Sequence, residues 1–229
     1  MHSAQFRYLI DDGQYANQYN LVAEAVYRLC VRSCFAPPGF ALVRQMGIAS
    51  AREQRQSIVD LKENLSLIHQ SRSGQSLGWV SLACDRVGGE EGRKLHRENA
   101  PSQSLLLLGL APSRQPQRVL LADYAACASE LGLSPVQFLE EFTPVFKKFM
   151  NILAPYTMAL NDLEQDRYYL LAINNSDSSL GKKDGLWQGL LHAIKEPTQS
   201  YDLGCVEPLA CGADEAVKGE EIEAFLAGH

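Results

Sequence analysis

The most constraining stretch is S-P-V-Q-F-L-E-E-F-T-P-V-F-K-K-F-M-N-I-L, residues 134–153. Its start is marked three ways. Ser134 can accept a hydrogen bond from the first turn, Pro135 stands where a missing N–H costs nothing, and Gln137 completes an S-x-x-Q capping box. Apolar residues then return at helical spacing (Phe138/Leu139, Phe142, Val145/Phe146, Phe149, Ile152/Leu153), so one broad aromatic face must be buried. Burying each such aromatic contributes roughly 1.5–3 kcal/mol, so the chain needs a core that receives this face. The spacing predicts a helix over 135–153. Pro144 removes a backbone hydrogen bond and predicts a kink there; the alternative is a break, with Thr143 capping a new helix.

What that face packs on is written in the apolar runs. S-L-L-L-L-G-L, 104–110, and Y-Y-L-L-A-I-N-N, 168–175, are apolar on both faces, as central strands covered on both sides are. F-A-L-V-R-Q-M, 40–46, and L-G-W-V-S-L-A-C, 77–84, read as further strands, the latter expected antiparallel to 104–110. A helix opens at Asn20 and is expected to run to A-P-P-G, 36–39. Ser50 and Glu53 cap another, whose apolar positions Ile58, Leu61, Leu65 and Ile68 follow a polar start. Leu120, Tyr124, Cys127 and Leu131 mark a helix face closed by Gly132, and Glu220 to Leu226 a terminal acidic helix. Residues 157–166 read as a short helix or link, 186–194 as helix or strand, and 197–212 as loop. The expected fold class is α+β, a mixed or antiparallel sheet of about four strands packed against several amphipathic helices, in a single domain 1–229. D-R-V-G-G-E-E-G-R-K-L-H-R-E-N-A-P, 85–101, is glycine-rich and charged, and is expected to be a mobile loop.

Composition removes some functions. A net charge of −6 without a basic block argues against nucleic acid as partner. No apolar run approaches the ~18 residues that span a bilayer, which argues against a membrane. The first residues lack the basic and apolar regions of a signal peptide, so a cytoplasmic location is expected. The six cysteines form no recognisable framework. Cys30 and Cys34 could offer half a zinc site, with Cys205 and Cys211 supplying the rest, but the spacing matches no zinc module and buried thiols are the favoured reading.

Three candidate sites remain. Asn174-Asn175-Ser176-Asp177 ends a buried strand, where short polar side chains collect around ligands but also serve simply to turn the chain. Asn174 directly follows the apolar run, and a buried amide must find partners. Arg93 and Arg97, in the 86–97 cluster, could receive an anion, though Glu90, Glu91 and Glu98 are interleaved with them. The leading reading is therefore a protein that binds a small polar ligand or a protein partner, with no catalytic constellation and no cofactor.

The rival reading rests on His96-x-Glu98 with His192. Alternation in a strand puts His96 and Glu98 on one side, and two histidines with one carboxylate hold Fe(II) on one face while leaving three positions open. Through these three residues the pattern resembles the 2-oxoglutarate-dependent oxygenases, which implies a mononuclear non-haem Fe(II) enzyme. Such enzymes usually carry an arginine after the second histidine to hold the 2-oxoglutarate carboxylate. Here none follows Arg167, although Lys195 lies close to His192. Phosphate-loop, hydrolase-elbow, H-E-x-x-H and EF-hand signatures are absent.

Overall fold

The computed structural model describes residues 8–15, 18–87, 94–113, 118–142, 147–161, 163–177, 187–195, 200–210 and 213–229. The fold is α+β. Nine strands are described, β1 Leu9–Asp11, β2 Phe40–Gln45, β3 Ser76–Val87, β4 Leu105–Leu110, β5 Arg118–Ala122, β6 Thr157–Leu160, β7 Tyr168–Asn174, β8 Leu191–Lys195 and β9 Ser200–Leu209. Six α-helices accompany them, α1 Tyr19–Cys30, α2 Ala51–Ser73, α3 Tyr124–Glu130, α4 Pro135–Glu141, α5 Lys147–Leu153 and α6 Gly219–Ala227.

The strands form a six-stranded sheet in the order β1-β2-β7-β4-β9-β3 and a three-stranded sheet in the order β6-β5-β8. β1 runs parallel to β2 and the other pairs are antiparallel. The two runs read as apolar on both faces, β4 and β7, lie side by side in the middle of the larger sheet. One face of that sheet carries Val43, Leu105, Leu107, Leu170 and Val206 under α1, α2 and α6. Its other face carries Leu42, Leu106, Leu108, Leu171, Leu203 and Cys205 against Val119, Leu121, Leu160, Leu190 and Ile194, so the two sheets close on one another. The outer face of the small sheet is covered by Tyr124, Cys127, Phe138 and Leu153. The order of layers is thus helices, large sheet, small sheet, helices.

Several sequence expectations are corrected. The helix over 135–153 is broken rather than kinked. Its capping box forms, with Ser134 Oγ accepting from Gln137 N at 3.2 Å and Gln137 Oε1 from Ser134 N at 2.9 Å. But α4 stops at Glu141 and Phe142 is extended at ψ 120°, since a proline at 144 can neither donate to the carbonyl of Glu140 nor avoid it. Thr143, the proposed second cap, lies outside the described residues. Residues 77–84 and 104–110 are not neighbours, because β9 lies between them and pairs with both β3 and β4. β9 is the strand that proline, glycine and cysteine disguised. Its Gly204 is required, because a Cβ there would stand 2.5 Å from the Trp79 ring. Leu120 opens no helix: β5 ends at Ala122, and α3 starts after Asp123, whose carboxylate accepts from Ala126 N. Residues 157–160 are strand, and α1 ends at Cys30, short of the prolines. Of the loop expected at 85–101, residues 88–93 lie outside the described residues; 85–87 close β3, and 94–101 cross the end of β7.

Candidate metal centre

β8 alternates strictly. Leu191 and Ala193 face the outer helices, while Leu190, just before the strand, and Ile194 face the gap between the sheets. His192 therefore points into that gap and is 1% exposed. Beside it runs the segment Leu95–Glu98, held by one antiparallel bridge in which His96 N donates to His192 O at 2.9 Å and His192 N donates to His96 O at 2.8 Å. Leu95 joins the outer core, so alternation turns His96 and Glu98 inward with His192. The two imidazole rings lie 4.4 Å apart. Glu98 Oε1 stands 3.5 Å from His96 Nε2 and 3.8 Å from His192 Nε2, and one donor atom from each of the three residues falls within 4.8 Å of the others.

These residues fit a metal ion on two counts. Two ligand atoms about 2.1 Å from an ion and at right angles stand about 3.0 Å apart, so the carboxylate contacts need close by less than about 1 Å. In addition, His96 Nδ1 lies 2.8 Å from Lys94 O. A carbonyl only accepts, so Nδ1 carries a proton, and in the neutral ring Nε2 then offers its lone pair on the Glu98 side. That is the usual support of a ligating histidine.

The strand end beyond β7 lies against the same segment. Asn174, Asn175 and Ser176 are fully buried. Asn174 Nδ2 donates to Cys30 O at 2.9 Å, and Ser176 Oγ accepts from Ser104 N at 3.0 Å. Asn175 Oδ1 accepts from Glu98 N at 3.0 Å, and its Nδ2 donates to Glu98 O at 3.3 Å. Asp177 pairs with Arg97 at 3.1 Å, and Arg97 also donates to the carbonyls of Ala100, Pro101 and Asn175. These groups are thus engaged with the protein, Asn174 with the end of α1, Ser176 with Ser104, and Asn175 with Glu98. Arg93 lies outside the described residues. The segment entering β8 reaches this strand end through Gly189, where a Cβ would be 2.0 Å from Ser176 O, and Leu190 N donates to Asn174 O at 2.8 Å.

Among the described residues the cysteines do not assemble. Cys30 lies under the helices and Cys205 faces the small sheet, on opposite faces of the large one. Burial, with Glu98 adding to it, pushes the Cys205 thiol up to about 12, so it is a neutral wall group rather than a thiolate ligand. Cys34 is exposed, and Cys211 lies outside the described residues. Among the described residues, no helix is long and apolar enough to cross a membrane.

No protein-family model matches the chain, and no curated protein is similar to it. Among solved structures, the Kdo hydroxylase KdoO, a non-haem Fe(II) alphaketoglutarate-dependent dioxygenase with succinate and Fe(III), overlaps at a TM-score of 0.34 and 11% identity, over 71% of this chain and 66% of that one. This chain thus spans just under two thirds of the hydroxylase's length. A putative alphaketoglutarate-dependent taurine dioxygenase from Burkholderia xenovorans overlaps at 0.38 and 10% identity, over 93% of this chain and 90% of that one. A taurine dioxygenase from the same organism overlaps at 0.39 and 8% identity, over 89% and 88%. Overlaps this loose assign neither a family nor an activity to this chain.

Proposed function

We propose that the protein is a mononuclear non-haem Fe(II) enzyme of the oxygenase kind, with His96, Glu98 and His192 as its metal ligands. The observation that carries this reading is the meeting of two imidazoles and one carboxylate, from two segments far apart in sequence, on one face of the gap between the sheets. Fe(II) held by such a set supplies redox chemistry with dioxygen and leaves positions for a small acidic co-substrate. The chain's own residues then do three things. The Lys94 carbonyl keeps the His96 proton on Nδ1. The buried Cys205 thiol, held neutral, adds no negative charge beside Glu98. Leucines 106, 190 and 203, with Ile194, exclude water from the gap. With no arginine after Arg167, a 2-oxo acid co-substrate has to be held by a different group than in the family the triad resembles.

The test is metal analysis of protein purified without a histidine tag, loaded anaerobically with Fe(II), beside His96→Ala and His192→Ala. About one iron per chain is expected in wild type and none in either variant. Loaded wild-type protein should then consume dioxygen with one member of a panel of 2-oxo acids. Wild-type protein that takes up no metal would end the proposal and leave a ligand-binding protein.

A further inference from the structure

We infer that Asn175 is a positioning residue of this metal centre, which sets the Glu98 carboxylate by holding the Glu98 backbone. The inference rests on the metal-centre reading above. His96 has a strand neighbour, since it exchanges two backbone bonds with His192. At Glu98 the Asn175 side chain bonds both main-chain groups, with Oδ1 accepting from Glu98 N at 3.0 Å and Nδ2 donating to Glu98 O at 3.3 Å. A carboxamide has the acceptor and donor of a peptide group, so one side chain here reproduces the two-bond pairing of an antiparallel residue pair.

The clamp is rigid because its own backbone is fixed. Asn175 N donates to Ser104 O at 2.9 Å. Asn175 O accepts from Arg97 Nη1 at 3.0 Å and from Ser104 Oγ at 3.2 Å. Asn175 is 0% exposed and directly follows β7, a central strand of the large sheet. The carboxylate is therefore referenced to the sheet through this amide, while His192 is referenced to the small sheet. Asn175 acts through the Glu98 main chain, not as a ligand of the metal.

The test compares Asn175→Ala and Asn175→Asp with a control of the same chemistry. Gln54 is also buried, and its amide nitrogen Nε2 donates to Leu110 O and Tyr169 O at 3.0 Å each. Those atoms lie at the opposite ends of β4 and β7, so Gln54→Ala removes two buried bonds from the same strands without touching Glu98. Affinity for Co(II), its ligand-field absorption spectrum and the melting temperature are measured for each protein, with His192→Ala alongside. Expected are a loss of affinity of about 10–100-fold and an altered spectrum in Asn175→Ala, as for other groups that support metal ligands. Asn175→Asp, isosteric but without the donor, should lose less, and it decides the matter if Asn175→Ala does not fold. Gln54→Ala should lose melting temperature but keep wild-type affinity and spectrum. Wild-type affinity in a folded Asn175 variant, or an equal loss in Gln54→Ala, overturns the inference while the metal centre stands. Wild-type protein that binds no Co(II) overturns the metal centre itself.

Discussion

Asp123→Ala should destabilise the protein by about 4 kcal/mol, a large share of the roughly 5–15 kcal/mol that holds a typical domain folded. The magnitude follows from what Asp123 touches. Its two oxygens receive Arg32 Nη1 and Nη2 at 2.7 Å each, and the Arg32 side chain is 0% exposed. Arg32 also donates Nε to Gln188 O at 3.1 Å and Nη1 to Pro37 O at 2.9 Å. Removing one partner of a buried ion pair costs about 3–5 kcal/mol, because the other charge stays buried. The Asp123 side chain is 20% exposed, so water entering its place moderates that towards the lower end. The lost cap on α3 adds about 1 kcal/mol. Urea denaturation of wild type, Asp123→Ala, Arg32→Met and the double variant measures the cycle. The double variant should be more stable than Asp123→Ala, since it no longer buries an unpaired cation. A loss below about 1 kcal/mol for Asp123→Ala, or a double variant less stable than it, would refute the reasoning. The pair also bears on the proposed metal centre, because Arg32 holds the Gln188 carbonyl four residues before His192.

Two further outcomes follow from single groups. Burial lowers the pKa of His69 from its ordinary 6.5, while the unfolded chain still protonates near that value. The unfolded state then binds more protons below about pH 6.5, so stability is fully present above it and declines as pH falls towards the lower folded value; melting temperatures at about pH 7.5 and 5 should differ less in His69→Gln than in wild type. Gly189→Ala should cost at least about 1–3 kcal/mol in urea denaturation and weaken Co(II) binding, because its Cβ would meet backbone, Ser176 O at 2.0 Å.

The elements legible in the sequence were those whose signal is local. Ser50 and Ser134 cap helices by bonds within one turn, and both caps form. The apolar runs at 105–110 and 168–174 needed two covered faces whatever covered them. β5 and β9 failed for opposite reasons. In β5, Leu120 happens to stand four residues before Tyr124, which mimics a helix, although Val119 and Leu121 already alternate into the inter-sheet core. In β9, Gly204, Cys205 and Pro208 resemble loop, yet Gly204 is small to admit Trp79. That demand comes from a partner strand more than a hundred residues earlier, which composition cannot report.

The same division runs through the proposed metal centre. His96-x-Glu98 is legible as a pair because alternation is a local rule, and Asn174 following an apolar run already implied a buried amide seeking partners. That His192 meets them depends on the bridge to His96, and that Asn175 rather than Asn174 holds Glu98 depends on which way the chain turns after β7. The reason polar residues gather here is geometric. Strands can satisfy their backbone by pairing along their length, but at the end of β7 the chain must leave the large sheet, while the segment 187–190 crosses to the small one. Several main-chain groups around that crossing take side-chain partners, Glu98 from Asn175, Cys30 O from Asn174 and Ser104 N from Ser176, and Gly189 admits a tight approach. A chelating triad needs its three donors fixed relative to one another across two sheets, and this crossing is where the sheets are joined by hydrogen bonds rather than by apolar packing alone. The asparagines that make the run look like a turn are, on this argument, what makes the turn stiff enough to hold a carboxylate against two imidazoles.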